Sequence, residues 1–175
     1  HQIHDLAGDP KYRSVLQRMR NDHLQWIAQT RDMGFLPEHE QELRSAGSTP
    51  WKMALDPNEY PQERILAAAD LTGRGPQELP KLIDLLADDD AAVRYWACVG
   101  LEVLGLQAKS AQPLLVDALK DPSPNVQIAA ADALVSIGSS ADVIPLLKES
   151  LKHPSEWVRL RALNLLDELG EKAAP

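Results

Sequence analysis

Three stretches of this chain align without a gap: Val93–Gly105, Val126–Gly138 and Val158–Gly170. The valines stand 33 and 32 residues apart, and Pro80, Pro113 and Pro145 recur at the same intervals. A period of this length restricts the chain to architectures in which one small unit stacks on the next. A weaker copy precedes the three. Arg64, Ala67, Leu71 and Gly75 match Arg94, Ala97, Leu101 and Gly105, each 30 residues earlier.

Each unit reads as two helices. The first is short: 79–87, 111–120 and 143–152. A polar break follows, as Asp88-Asp89-Asp90, Asp121-Pro122-Ser123 and His153-Pro154-Ser155. Asp90, Ser123 and Ser155 share one register and suit an N-cap, where a side-chain oxygen takes up a free backbone N–H. Pro124 then falls at the first helical position, where its missing N–H costs nothing. The second helix carries Val126, Ala130, Leu134 and Ile137 in one copy and Val158, Ala162, Leu166 and Leu169 in the next. Those spacings form one face at period 3.6. Gly105, Gly138 and Gly170 are expected to stop the helices with a left-handed turn. The small residues Ala97, Ala130 and Ala162 let the second helix approach its partner. A single pair cannot bury both faces, so neighbouring pairs bury them jointly.

The helix-A proline, the Asp-Pro-type break and the pattern Val93-Arg94…Ala97…Leu101…Gly105 resemble HEAT repeats. The pattern recurs as Val158-Arg159…Ala162…Leu166. Gln127 replaces the arginine in the middle copy, which interrupts any Asp–Arg ladder. The resemblance covers about residues 50–172. It implies an all-α, right-handed α-solenoid of about four helix pairs, the first degenerate. It says little about function, because one fold serves many roles.

Formal net charge is −8, and it is concentrated in the repeats. Residues 48–175 hold 12 Lys/Arg against 19 Asp/Glu, whereas residues 1–47 hold six against seven. An acidic stack repels phosphate backbones, so a HEAT-fold nucleic-acid enzyme is the remote alternative and no nucleic-acid partner is expected. No apolar run reaches the ~18 residues of a membrane span. A single cysteine, Cys98, excludes an internal disulfide and a cysteine-rich metal cage.

Residues 1–47 do not repeat. Gln2–Leu6 reads as a short extended stretch. Asp9-Pro10 opens a helix of about 10–33, on which Tyr12, Leu16, Met19, His23, Trp26, Ile27 and Thr30 share a face. Gly34 is its expected stop. Residues 37–50 read as a polar linker, and Ser48-Thr49-Pro50 restarts a helix through Trp51 and Leu55. Trp51 and Tyr60 are expected to cover the front of the solenoid.

The run Gln2-Ile3-His4-Asp5-Leu6-Ala7-Gly8-Asp9-Pro10-Lys11-Tyr12, with Leu16, Leu24, Trp26, Thr30, Arg31, Asp32, Gly34 and Pro37-Glu38, looks like the carboxyl-terminal end of bacterial sulfatases of the arylsulfatase or N-sulfoglucosamine sulfohydrolase kind. There a short strand reads roughly Asp-Pro-x-Glu-x-x-Asn-Leu, and a helix then packs on a small sheet. Gln2 stands for the glutamate and Asp5 for the asparagine. The resemblance implies a tail at 1–47, a solenoid at 48–175, and an upstream catalytic domain as partner. It also implies a periplasmic or secreted setting, and calcium and formylglycine in the parent hydrolase. The competing reading is a HEAT adaptor that binds another protein and is unrelated to sulfatases.

No catalytic, cofactor or metal residue is assigned in this chain. Ser48-Thr49-Pro50-Trp51-Lys52 only superficially matches a sulfatase Cys/Ser-x-Pro-x-Arg motif, and a helix start explains it better. His1, His4, His23, His39 and His153 form no i, i+4 ligand pair. Asp88-Asp89-Asp90 has the oxygen chemistry calcium takes, but a capped, solvated turn accounts for it. Glu38, Glu40 and Glu42 alternate in a polar loop without a partner acid. Cys98 reads as a structural thiol. Tyr95, Trp96 and Trp157 are the candidate partner contacts, set against a packing role for the same rings.

Overall fold

The computed structural model describes residues 4–139 and 143–170, and every regular element among them is helical. One 3-10 turn at Pro10–Tyr12 leads into α1 (Arg13–Thr30). Three short helices follow: α2 (Glu38–Arg44), α3 (Pro50–Leu55) and α4 (Gln62–Leu71). Three pairs complete the stack: α5 (Leu79–Leu85) with α6 (Ala91–Leu104), α7 (Gln112–Ala118) with α8 (Pro124–Ser136), and α9 (Ile144–Ser150) with α10 (Glu156–Leu169). The second helices α4, α6, α8 and α10 stack in that order, each later one backed by its own first helix.

The repeat register explains the core. Val93, Val126 and Val158 are buried, and Ala97, Ala130 and Ala162 are fully enclosed. Leu82, Leu115 and Leu147 meet them from the first helices. Burying one such valine or leucine contributes about 1.5–3 kcal/mol. α5 and α6 pack closely: a Cβ on Gly100 would fall 2.5 Å from Leu82 Cδ2, so a side chain there would force the buried Leu82 to shift.

A second cluster closes the front, with Leu36, Met53, Tyr60, Ile65, Ala92 and Val93 at its centre. Tyr60 is wholly buried and donates its phenol hydrogen to the Asp32 carbonyl. Burial pushes that phenol up to about 12. Trp51 does not join it. It remains 66% exposed, because α3 buries Met53 and Ala54 on its opposite side. The expected aromatic cover is therefore Tyr60 alone.

An Asp–Arg ladder joins the pairs. Arg64 Nη2 donates to Asp88 at 2.5 Å. Arg94 forks onto Asp121 through Nε at 2.7 Å and Nη2 at 2.9 Å. Its Nη1 meanwhile holds the carbonyls of Asp88 and Asp89. The next rung lacks both charges: Gln127 donates only to the Asp121 carbonyl, and His153 stands where the aspartate would.

Several local expectations are corrected. The first helix ends at Thr30, because Arg31 adopts φ 52°, the only positive φ outside glycine among the described residues. That bend aims its guanidinium at the carbonyls of Ala54 (2.6 Å) and Tyr60 (3.3 Å), tying α1 to the front of the stack. Residues 4–9 form no strand, while Gln2 and Ile3 lie outside the described residues. The expected linker at 37–50 contains α2. Gly105, Gly138 and Gly170 do take positive φ. Gly105 and Gly170 pair it with ψ near −130°, away from the left-handed helical well. Asp90 caps α6 through Ala92 N–H. Ser123 and Ser155 make no capping bond; their hydroxyls turn to α2 instead.

Candidate functional site

The seven-residue α2 lies across the amino ends of the three long second helices. Arg44 forks onto Asp90 at 2.8 and 2.9 Å, and also donates to Glu40 at 3.2 Å. Ser123 Oγ donates to Glu40 Oε1 at 2.8 Å. Ser155 Oγ donates to Glu42 at 3.1 Å, and the Trp157 indole donates to Glu42 at 2.9 Å. Two carboxylates thus sit at the positive ends of α8 and α10, where a helix dipole favours them. His39 packs edge-on against His153 with ring centres 5.0 Å apart. Burial opposes the charge on Asp90, but the Arg44 guanidinium outweighs it and holds the carboxyl below its usual range. Asp88 and Asp90 are therefore ion-pair partners of Arg64 and Arg44.

Below α2 a groove of about 340 Å³ runs over α6, α8 and α10. Val99, Ile128, Ala129, Leu160 and Leu165 contribute its apolar surface. Glu38, Glu102, Asp132 and Glu168 contribute carboxylates, and Arg161 is the single cation among the lining residues. Arg161 is already engaged: its Nη2 donates to Tyr95 Oη at 2.8 Å, and its guanidinium lies 4.7 Å from that ring's centre. Burial, then Asp132 and Glu168, push the Glu102 carboxyl up to about 7. Burial and Glu168 raise Asp132 as well. Burial and neighbouring like charges thus make Glu102 and Asp132 harder to ionise.

The three aromatic candidates are placed apart. Trp157 lines the groove wall with its N–H committed to Glu42. Tyr95 props Arg161 from behind. Trp96 turns to the front, donating to the Phe35 carbonyl at 2.8 Å and packing on its ring. Cys98 is fully buried, and burial raises its thiol to about 12.

Glu102, Asp132 and Glu168 were not singled out from sequence. Glu102 lies nine residues after Val93, Asp132 six after Val126 and Glu168 ten after Val158, so no repeat column holds them. The charge balance of 48–175 was the one signal pointing to them. Among the described residues, no three His, Cys, Asp or Glu side chains gather as a metal centre requires. No helix among them is long and apolar enough to cross a membrane.

Comparison with known protein families matches residues 79–167 to HEAT repeats. Comparisons with curated proteins and with solved structures find no match. HEAT repeats are generally non-catalytic and suggest a protein-interaction scaffold, and the matched segment spans the three regular pairs of this structure, about half of the chain. The chain belongs to the HEAT-repeat family.

Proposed function

We propose that the chain is a protein-interaction scaffold whose groove takes a cationic, partly apolar segment of a partner. The observation that carries this reading is the set Glu102, Asp132 and Glu168 around an apolar floor, with its one cation held by Tyr95. A lysine or arginine entering there meets carboxylates whose mutual repulsion it relieves, so its binding releases protons near neutrality. Calorimetric titration with a peptide alternating lysine and leucine tests it. Affinity should rise from pH 6 to pH 8 and drop at least tenfold in the double variant Glu102→Gln/Asp132→Asn. Equal binding by that variant removes the reading. Glu102→Gln alone should raise stability at pH 8 by about 1 kcal/mol, discounted for partial solvent exposure. The sign follows from a folded-state pKa above 4.5: stability from this group is lost as pH climbs from 4.5 through 7.

A finer reading joins this scaffold to a sulfatase-like hydrolase of sulfate esters or sulfamates, periplasmic or secreted. Residues 1–47 would be the tail of the catalytic unit and residues 48–175 the solenoid, with that unit as partner in the same polypeptide. Its support is the resemblance of the front segment, together with α1. Val15, Met19 and Trp26 on that helix are exposed, a surface suited to packing on an upstream domain. Tyr95, Trp96 and Trp157 belong to this reading as candidate partner contacts. A Cys/Ser-x-Pro-x-Arg motif in the upstream coding sequence, with arylsulfate hydrolysis by the joined protein, would support it. Joining the upstream domain without blue-shifting Trp26 fluorescence would count against it. The competing reading, an adaptor unrelated to sulfatases, is favoured by how tightly residues 31–60 bind into the stack through Arg31, Arg44 and Tyr60.

A further inference from the structure

One inter-helix turn is built three times, and its acceptor changes chemistry in the third. Asp88 takes the Asp90 N–H at 2.8 Å, and Asp121 takes the Ser123 N–H at 2.8 Å. In the last pair the Ser155 N–H donates to His153 Nδ1 at 3.1 Å. The frame around it is unchanged. Arg159 Nη1 holds the carbonyls of His153 and Pro154 as Arg94 Nη1 holds those of Asp88 and Asp89. A carboxylate keeps its charge down to about pH 4, whereas an imidazole takes up a proton at about 6.5. Because Ser155 donates to Nδ1, the neutral ring carries its hydrogen on Nε2. The one nitrogen left to accept a proton is the nitrogen that closes the turn.

That turn is wired to the groove through α2. Ser155 Oγ and the Trp157 indole both donate to Glu42, and Trp157 lines the groove wall. His39 of α2 stands edge-on to His153, ring centres 5.0 Å apart, so a charge on one ring meets a charge on the other. The other charged groups acting on the pair are Glu42, 3.5 Å from His39 Nδ1, and Arg159. Glu42 favours a first charge on the pair, while Arg159 and the charged partner ring oppose a second. Burial, then His39, already hold the His153 pKa below its ordinary value.

We propose that His153 is an acid-operated catch: a solvent proton arriving at Nδ1 expels the Ser155 N–H, parts the start of α10 from α2 and frees the Trp157 indole from Glu42. The catch regulates the groove, and this part rests on the reading of that groove as a binding site. The two inner turns close on carboxylates and stay shut over the same pH range.

The test follows hydrogen exchange of the isotope-labelled chain by NMR from pH 7.5 to 5.5. The Trp157 indole resonance is identified by its loss in Trp157→Phe. Protection of the Ser155 amide and the Trp157 indole, corrected for intrinsic exchange, should fall severalfold, toward the roughly tenfold per pH unit that uptake of one proton allows. The Ser123 amide, held by Asp121, should keep its protection. His153→Asp restores the acceptor of the inner turns and should remove the response at Ser155 and Trp157. Unchanged protection at Ser155 in the unaltered chain overturns the proposal, and so does an equal fall in His153→Asp. With the lysine–leucine peptide, His153→Asp should lose less affinity between pH 6.5 and 5.5 than the unaltered chain, because protonation of the groove carboxylates is common to both. Equal losses overturn the regulation of the groove. A peptide that binds at no pH overturns the groove reading alone, since the exchange measurements need no ligand.

Discussion

α1 and α2 invert the usual link between sequence and burial. α1 carries Val15, Met19 and Trp26 and leaves them in solvent, burying only Ile27. α2 is Glu-His-Glu-Gln-Glu-Leu-Arg, almost wholly polar, yet Glu40 and His39 are buried and its one leucine, Leu43, is exposed. The difference lies in what faces each helix. Among the described residues, only the 4–7 segment lies beside Val15 and Met19 of α1, and it leaves them exposed. α2 meets three helix starts, where hydroxyls, an indole and an aspartate match Glu40, Glu42 and Arg44. Polar residues can be buried when every one is partnered.

Breaking that matching should separate the two helices in stability measurements. Arg44→Met leaves Asp90 and Glu40 buried without their cation, and should cost about 3–5 kcal/mol in chemical denaturation. A loss below about 1 kcal/mol would mean that α2 is held by Leu36 and Phe35 rather than by charge. Ser123→Ala removes one bond to the buried Glu40 and should cost about 1–2 kcal/mol. A smaller effect comes from acid. Burial, then the neighbouring His39, hold His153 below its ordinary 6.5. The folded state resists the proton that the unfolded chain accepts, so stability falls as pH drops through 6.5. The other groups facing this ring pair are Glu42 and Arg159. Hydrogen exchange at pH 7.5 and 5.5 should show α2 amides losing protection first. Smallest of all, Met19→Ser should change stability by no more than ~0.5 kcal/mol. A larger loss would show that α1 packs on something and would dissolve the contrast.

The second helices were legible because their signal repeats. Val93, Val126 and Val158 mark one face three times, and the alanines four residues later fix the close packing. The pair boundaries fell within one or two residues for the same reason. α2 was illegible because its helix is seven residues long and has no apolar stripe; only the N-termini across from it define it. Arg31 was illegible because its positive φ is imposed by bonds to Ala54 and Tyr60, far along the chain. The serines at 123 and 155 were read as caps, which is what their local sequence favours, until Glu40 and Glu42 compete for the same hydroxyls. Trp157 on the groove wall and Tyr95 beneath Arg161 are visible in the sequence as aromatics in their repeat columns. The carboxylates beside them sit at three different registers, where a search by column is blind.

One feature of the core doubles as an instrument. Cys98 is the sole cysteine, fully enclosed at the seam between α6 and α8, with its thiol held protonated. A thiol-reactive dye therefore reads a single event in the native protein, the parting of these two helices. Its rate, followed with salt or bound peptide, converts directly into the opening free energy of that seam. The molecule thus carries a built-in gauge of how firmly one repeat grips the next.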